Sequence, residues 1–270
     1  MTAITNGGSE HRRVALFGGV YSNTHALAAM LDDARGRDVE AVHCLGDVGG
    51  FGPHPDRAVA LLRQSGAVTI QGNYDAAVAG GAPDCGCGYT DPRDNHFARL
   101  SYAYTLSRTS TEHRRWLGAL PPSLRLRLGP LTAVLCHGSP RAVSEFLWES
   151  TTPDGMLAAM LDEARADVLV CTHSGLKWHR ALGDGRHAVN VGVIGRPEND
   201  GRTDVWYTVL TSTGDGLDVE FVPVAYDHET LAREMETEGL PGEFVETVRT
   251  GWWTTCLEVL PAKERARGRW

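Results

Sequence analysis

Five times along this chain an apolar run breaks off into a short polar loop, and this repetition constrains the fold more than any other feature. Val14-Ala15-Leu16-Phe17 leads into Gly18-Gly19-Val20-Tyr21-Ser22-Asn23. The other runs end in Leu45-Gly46-Asp47, Gln71-Gly72-Asn73-Tyr74-Asp75, Cys136-His137-Gly138-Ser139-Pro140 and Cys171-Thr172-His173-Ser174-Gly175. Strands buried on both faces read as such apolar runs, and open α/β sheets gather their sites at the carboxyl ends of their strands. The loops would then bring Asp, Asn and His side chains to one sheet edge.

Periodicity and punctuation predict strands near 13–18, 40–45, 67–70, 122–127, 131–136, 167–171, 187–191, 204–211 and 217–223. Helices are expected near 23–35, 55–65, 94–106, 110–119, 153–165, 227–238 and 242–251. Strand-helix-strand order in the first half implies parallel pairing with right-handed crossovers. The later, strand-rich half implies a largely antiparallel portion. With no internal repeat and no low-complexity linker, the expectation is an α/β chain forming a single domain over 1–270, with its core at about 13–225.

From about Arg13 to Leu210 the order and spacing of the five loops resemble the calcineurin-like metallophosphoesterases. Those loops read Asp-x-His, Gly-Asp, Gly-Asn-His-Asp, a lone His and Gly-His-x-His. Gly46-Asp47-Val48-Gly49-Gly50-Phe51-Gly52-Pro53 and His137-Gly138-Ser139-Pro140-Arg141 look like the small bacterial phosphodiesterase branch. The resemblance implies a two-sheet sandwich flanked by helices and a site for two metal ions. One ligand set carries over whole, as Asp47, Asn73, His137 and His173. The other does not: its Asp falls on Gly19, its first His on Tyr21 and its last His on Gly175, leaving only Asp47. The His that supports the leaving group or the transition-state charge falls on Tyr74. A histidine restored at 175 would raise metal stoichiometry if only a ligand is wanting.

Two-metal phosphoesterases clamp the attacking and leaving oxygens between cations. A chain with one complete set keeps a Lewis acid and loses the bridged nucleophile. Asp, Asn and two His make a mixed oxygen and nitrogen site suited to manganese, iron or zinc rather than calcium. The expected cofactor is therefore one divalent transition-metal ion, with a second only if Tyr21 serves as a ligand. Each residue also has a plainer role: Asp47 as a turn residue or helix cap, Asn73 as a left-handed turn position, the histidines as satisfied core residues, and Tyr21 and Tyr74 as fillers of space. It is the coincidence of Asp47, Asn73, His137 and His173 that favours metal. Gly18-Gly19 matches no nucleotide-binding fingerprint.

A net charge of −8 argues against general nucleic-acid affinity. The basic stretches at 114–127 and 263–267 read best as solvated faces. No apolar run approaches the ~20 residues of a membrane span, and Met1–Arg12 lacks an export or transit pattern. A cytoplasmic location is the expectation, and with it no disulfide framework among the six cysteines. Cys44, Cys136 and Cys171 read as buried strand residues. Cys85-Gly86-Cys87 lies in a polar loop and reads as a plain loop or as a thiol pair facing substrate; as a structural zinc site it is weakly supported.

The block from about 80 to 121 looks like an inserted cap that selects substrate. Asp91, Arg93 and His96 are its candidate contacts, with Arg suited to a bidentate grip on phosphate, although Asp94 or Asn95 capping the next helix explains much of the polarity. Phe146 to Thr152 forms a second candidate lip, and Arg141 another candidate substrate contact. The expected catalytic groups are Tyr74, His96 and Tyr21. The helical extension over 227–270, with Gly251-Trp252-Trp253 and Leu257 to Leu260, would pack on the body of the domain or against a second copy. Three functions fit: a one-metal phosphoesterase acting on a small phosphorylated molecule, a non-hydrolytic iron or manganese enzyme on the same four ligands, and a non-catalytic binder. Retention of one whole ligand set favours an enzyme, and hydrolysis leads by analogy with the family.

Overall fold

The structure, a computed structural model, describes residues 4–214 and 216–268, the Ser9 side chain excepted. The ends of the expected 1–270 domain, Met1–Ala3 and Arg269–Trp270, lie outside the described residues. A six-stranded sheet runs β1 (Thr5–His11), β5 (Ser123–Leu128), β6 (Leu131–Cys136), β7 (Val168–Cys171), β9 (His187–Asn190), β8 (Trp178–Ala181). A five-stranded sheet runs β11 (Gly216–Val224), β10 (Val205–Thr213), β2 (Arg13–Phe17), β3 (Ala41–Cys44), β4 (Val68–Thr69).

Between the sheets lies a core that includes Leu16, Leu45, Ile70, Leu126, Leu135 and Val170. Each is at most 2% exposed, and full burial of such a side chain stabilises by about 1.5–3 kcal/mol. Outside the second sheet, α1 (Thr24–Arg35) and α2 (Pro55–Ser65) set Ala26, Leu27, Met30 and Leu62 against Phe17 and Val209. The apolar positions of α1 recur at helical spacing, and Asn23 Oδ1 caps it by accepting from Ala26 N at 2.9 Å. On the other sheet, α6 (Asp154–Ala164) packs Leu157, Met160 and Leu161 against Val134 and Leu169.

Two parallel trios, β2-β3-β4 and β6-β7-β9, place their carboxyl ends at the same edge of the sandwich. Backbone hydrogen bonds join the two sheets there: Ile194 N donates to Gly18 O at 3.0 Å and Gly195 N to Gly19 O at 2.7 Å. Toward the chain end, α7 (His228–Thr237) and α8 (Gly242–Thr250) pack around Phe51 and Phe97. Trp253, Leu257 and Leu260 then cluster with Trp148 and Leu176, so the apolar chain end packs within the molecule.

Four elements were not expected: β1, β8, α3 (Asn73–Gly80) and α9 (Ala262–Arg265). β1 is polar and glycine-rich, and it exists as a parallel partner of β5 rather than through a periodicity of its own. Asn73 opens α3 instead of taking a left-handed turn; the left-handed residue is Asp47, at φ 56°. The helix expected from 94 begins earlier, α4 spanning Pro92–Arg108 with Asp91 as its cap. No helix among the described residues is long and apolar enough to cross a membrane.

Candidate metal centre

Asp47 follows β3, Asn73 follows β4, His137 follows β6 and His173 follows β7. One ligand atom from each of Asp47, His137 and His173 lies within 4.8 Å of the others. His137 Nδ1 is 2.6 Å from Leu45 O, which can only accept, so Nδ1 carries the proton in the neutral ring and Nε2 is left as a lone pair. That Nε2 lies 3.2 Å from Asp47 Oδ2 and 3.1 Å from His173 Nδ1. Lone pairs facing each other at such distances repel unless a proton or a metal ion lies between them. Donors sharing an ion at the usual ~2.1 Å bond length are about 3 to 3.5 Å apart, so this spacing fits either cation.

Two further atoms have no hydrogen-bond partner although they are enclosed: Asn73 Oδ1 and His173 Nε2. The amide of Asn73 is oriented from its other end, Nδ2 donating to Cys85 O at 2.9 Å and to Cys87 Sγ at 3.5 Å. Asp47 Oδ1 accepts from Tyr74 N at 3.0 Å. Burial alone would raise the Asp47 carboxyl, but His137, His173 and the Tyr74 N–H together outweigh it and hold the group below the ordinary carboxylate range. His137 is raised: burial pulls it down, but the charge and hydrogen bond of Asp47, the Leu45 carbonyl and the Asp75 charge together outweigh that. His173 is pushed down to about 3, first by burial and then by His137. A neutral imidazole beside an ionised carboxylate is what a metal ligand set requires.

Asp75, for which no role was expected, organises two of the loops. Its carboxylate accepts from Asp47 N and Gly72 N, both at 2.8 Å, and from Val48 N at 3.0 Å. Burial first and the Asp47 charge second still push it up to about 6.

A cleft of about 540 Å³, mouth included, opens beside these residues. Asp47, Asn73 and His173 line it, with Tyr21, Phe51, Tyr74, Tyr89, Phe97 and Phe244 as aromatic walls. Non-glycine residues with positive φ concentrate here: Tyr21, Asp47, Phe51, His173 and Cys256 all face it at φ 48–58°. Backbone held in that region gathers at sites where the surrounding fold over-determines it.

Of the expected catalytic groups, Tyr21 and Tyr74 line the cleft and His96 does not. Tyr74 OH donates to Ser101 Oγ at 2.8 Å, and burial pushes its proton affinity up. Tyr21 is raised as well, by burial first; Arg196 pulls the other way and Asp47 adds to the rise, so Tyr21 is a neutral phenol rather than a phenolate. His96 sits on the exposed side of α4, its ring 5.2 Å from Phe97. The expected substrate contacts also lie elsewhere. Asp91 is used up as the α4 cap, and Arg93 Nη1 donates to Thr254 O at 2.9 Å. Arg141 is exposed and pairs with Glu145. The inserted block does reach the cleft, through Cys87, Tyr89, Phe97, Ala98 and Ser101. At the second lip, the Phe146 ring stands 4.3 Å from that of His173.

Against the expectation of unpaired cysteines, Cys85 and Cys87 are joined as a disulfide, their Cα atoms 5.3 Å apart and so within bonding reach. In the cleft itself a charged side chain was missed as well: Arg196, 6% exposed and facing it. A weaker signal existed: Val189 to Ile194 is a valine-rich stretch, broken by Asn190 and Gly192, that ends in a polar loop, Gly195-Arg196-Pro197.

The corner where the resemblance puts the other ligand set is filled. A Cβ on Gly19 would lie 2.5 Å from Val193 Cγ1 and 2.7 Å from Tyr21 Cζ. One on Gly175 would lie 3.1 Å from Trp253 Cη2 and 3.3 Å from Arg196 Nη2. More than a ligand is therefore missing there.

Sheet order, helical covers and the site at the shared strand ends together make up the calcineurin-like metallophosphoesterase fold. Among solved structures the chain is similar to a metallophosphoesterase from Sphaerobacter thermophilus, at 24% identity and TM-score 0.68, covering 90% of this chain and 100% of that one. It is also similar to hypothetical protein PH1004 from Pyrococcus horikoshii OT3, at 21% identity and TM-score 0.75, covering 90% and 99%. In sequence it aligns with an uncharacterized protein of Methanocaldococcus jannaschii, MJ0912, at 23% identity over 246 residues, 84% of this chain and 93% of that protein. No family model matches the chain.

Proposed function

We propose that this protein is a metal-dependent phosphoesterase-like hydrolase working with one transition-metal ion held by Asp47, Asn73, His137 and His173. The reading is supported above all by the convergence of Asp47 Oδ2, His137 Nε2 and His173 Nδ1, with Leu45 O holding the His137 proton on the far side of the ring. The enclosed and unpartnered Asn73 Oδ1 completes a mixed donor set that suits manganese, iron or zinc. Such an ion would supply Lewis acidity toward a phosphoryl oxygen and toward the attacking water. Asp47 and His137 fix the geometry by their mutual contact, Asp75 sets the two loops that carry Asp47 and Asn73, and the aromatic walls limit water around a small phosphorylated substrate. Tyr21 and Tyr74 act in this reading as walls and neutral hydrogen-bonding groups.

The test is elemental mass spectrometry on protein purified without chelator, alongside turnover of an aryl phosphodiester and an aryl phosphomonoester. One equivalent of metal, lost in His173→Ala together with turnover, is the expected result. Metal retained in His173→Ala refutes the ligand assignment. One equivalent of iron with no turnover moves the protein to the non-hydrolytic class, and neither metal nor turnover leaves a binder.

A further inference from the structure

Arg196 is the one feature of the cleft that the metal reading leaves without a purpose. Its side chain is 6% exposed, its Nε is enclosed with no hydrogen-bond partner, and among the described residues no carboxylate forms an ion pair with it. Burying an unpaired guanidinium is unfavourable. Part of that is offset by Trp253, whose ring lies 3.6 Å from Arg196 Cζ in a desolvated cation–π contact. The stack is rigid because Trp253 is fastened to the loop that carries the arginine, Nε1 donating to Pro197 O at 2.7 Å and N to Asn199 Oδ1 at 2.8 Å. Held against the indole, the guanidinium faces the cleft shared by Asp47, Asn73 and His173, with the Tyr21 ring centroid 5.9 Å from Arg196 Cζ. With Trp253 it fills the space that Gly175 leaves without a side chain.

A fixed, desolvated fork of N–H donors on one wall of an aromatic cleft is suited to a planar or tetrahedral oxyanion. We infer that Arg196 is the anion-binding residue of this cleft, gripping the non-bridging oxygens of a phosphate ester whose aromatic or otherwise apolar alcohol group lies among Phe51, Tyr89, Phe97 and Phe244. The assignment of the anion as a phosphate ester rests on the function proposed above. The anion site itself rests on Arg196, Trp253 and the cleft. A guanidinium here supplies positive charge at the substrate without a second ion. It also favours small organic esters over bulky hydrophilic ones, because the walls beside it are rings.

The probe is phenylphosphonate, a phosphate-ester mimic without a scissile ester bond, titrated calorimetrically into the full chain with metal content measured on the same samples. Hydrogen bonds to a charged group contribute about 1.5–3 kcal/mol, so Arg196→Met weakens phenylphosphonate about tenfold or more while metal content is unchanged. Arg196→Lys, which keeps the charge and loses the fork, recovers only part of the affinity. Equal affinity in the wild type and Arg196→Met overturns the inference, whatever the metal does. If Arg196→Met does not fold, the wild-type complex with phenylphosphonate decides: phosphonate oxygens bonded to Arg196 support the inference, and phosphonate seated elsewhere refutes it. A chain that holds no metal yet binds phenylphosphonate through Arg196 would sustain the anion site and refute the one-ion hydrolase.

Discussion

Replacing Gly175 tests whether the filled corner is a fixed part of the fold or a metal site waiting for its ligand. Gly175 sits at φ +78°, and a Cβ there would meet Trp253 Cη2 at 3.1 Å and Arg196 Nη2 at 3.3 Å. For Gly175→Ala the left-handed backbone costs about 1–2 kcal/mol, partly offset by roughly 0.4–1 kcal/mol from a stiffer unfolded chain. Crowding adds to the loss because Trp253, 3% exposed and hydrogen-bonded to Pro197 and Asn199, has little room to retreat. A net loss of about 1–2 kcal/mol follows. Gly175→His must place a whole ring in the same space, and overpacking contributes about 1–3 kcal/mol more. The histidine variant is therefore about 2–5 kcal/mol less stable than the wild type, within the ~5–15 kcal/mol typical of a folded domain. Urea unfolding of metal-free protein gives the stabilities, and elemental analysis of the loaded proteins gives stoichiometry, expected to stay unchanged. A Gly175→His protein as stable as the wild type that takes up a second equivalent of metal would refute the reasoning, since the Arg196–Trp253 stack would then be displaceable.

Two other perturbations separate parts of the structure. His43, 3% exposed with Nδ1 unpartnered, is held down to about 4, mainly by burial and also by the charge of His11. Its folded value lies below the unfolded 6.5, so the stability linked to it is present above pH 6.5 and is lost as pH falls toward 4, by roughly 3 kcal/mol. His43→Leu should flatten the pH dependence of urea unfolding across that window in metal-free protein; an unchanged slope would show that His43 is not buried neutral. Because Asn73 Nδ2 is held by Cys85 O and Cys87 Sγ, reducing the disulfide or making Cys85→Ser/Cys87→Ser should weaken metal binding about tenfold or more, as loss of an outer hydrogen-bond partner does. Identical metal affinity with and without a thiol reductant would show that the loop does not orient Asn73.

The parts of the fold that could be read from the sequence are those whose burial is two-sided. β2, β3, β6 and β7 are near-continuous apolar runs because each is covered on both faces, and their positions matched expectation to within a residue or two. β1 could not be read, since its register is set by β5 and its own residues are polar. The same contrast holds at the site. Asp47, Asn73, His137 and His173 stand at strand ends, where chain order alone dictates position. Asp91, Arg93, His96 and Arg141 were expected in the cleft because they lie near it in sequence. A helix turns its residues through every direction, and α4 aims Phe97, Ala98 and Ser101 inward while His96 points out.

The sequence alone was therefore enough for the scaffold and for the candidate ligands: apolar runs ending in polar loops leave few ways to fold, and parallel strands carry those loops to one edge. What tertiary structure alone decided was what meets the donors there. Arg196 and Trp253 come together across 57 residues of chain, where the loop after β9 meets the segment after α8. Gly19 and Gly175 look in sequence like ligands lost. In the folded molecule their bareness is what admits Tyr21, Arg196 and Trp253. Contacts of that kind depend on distances between chain segments far apart in order, which local periodicity does not encode.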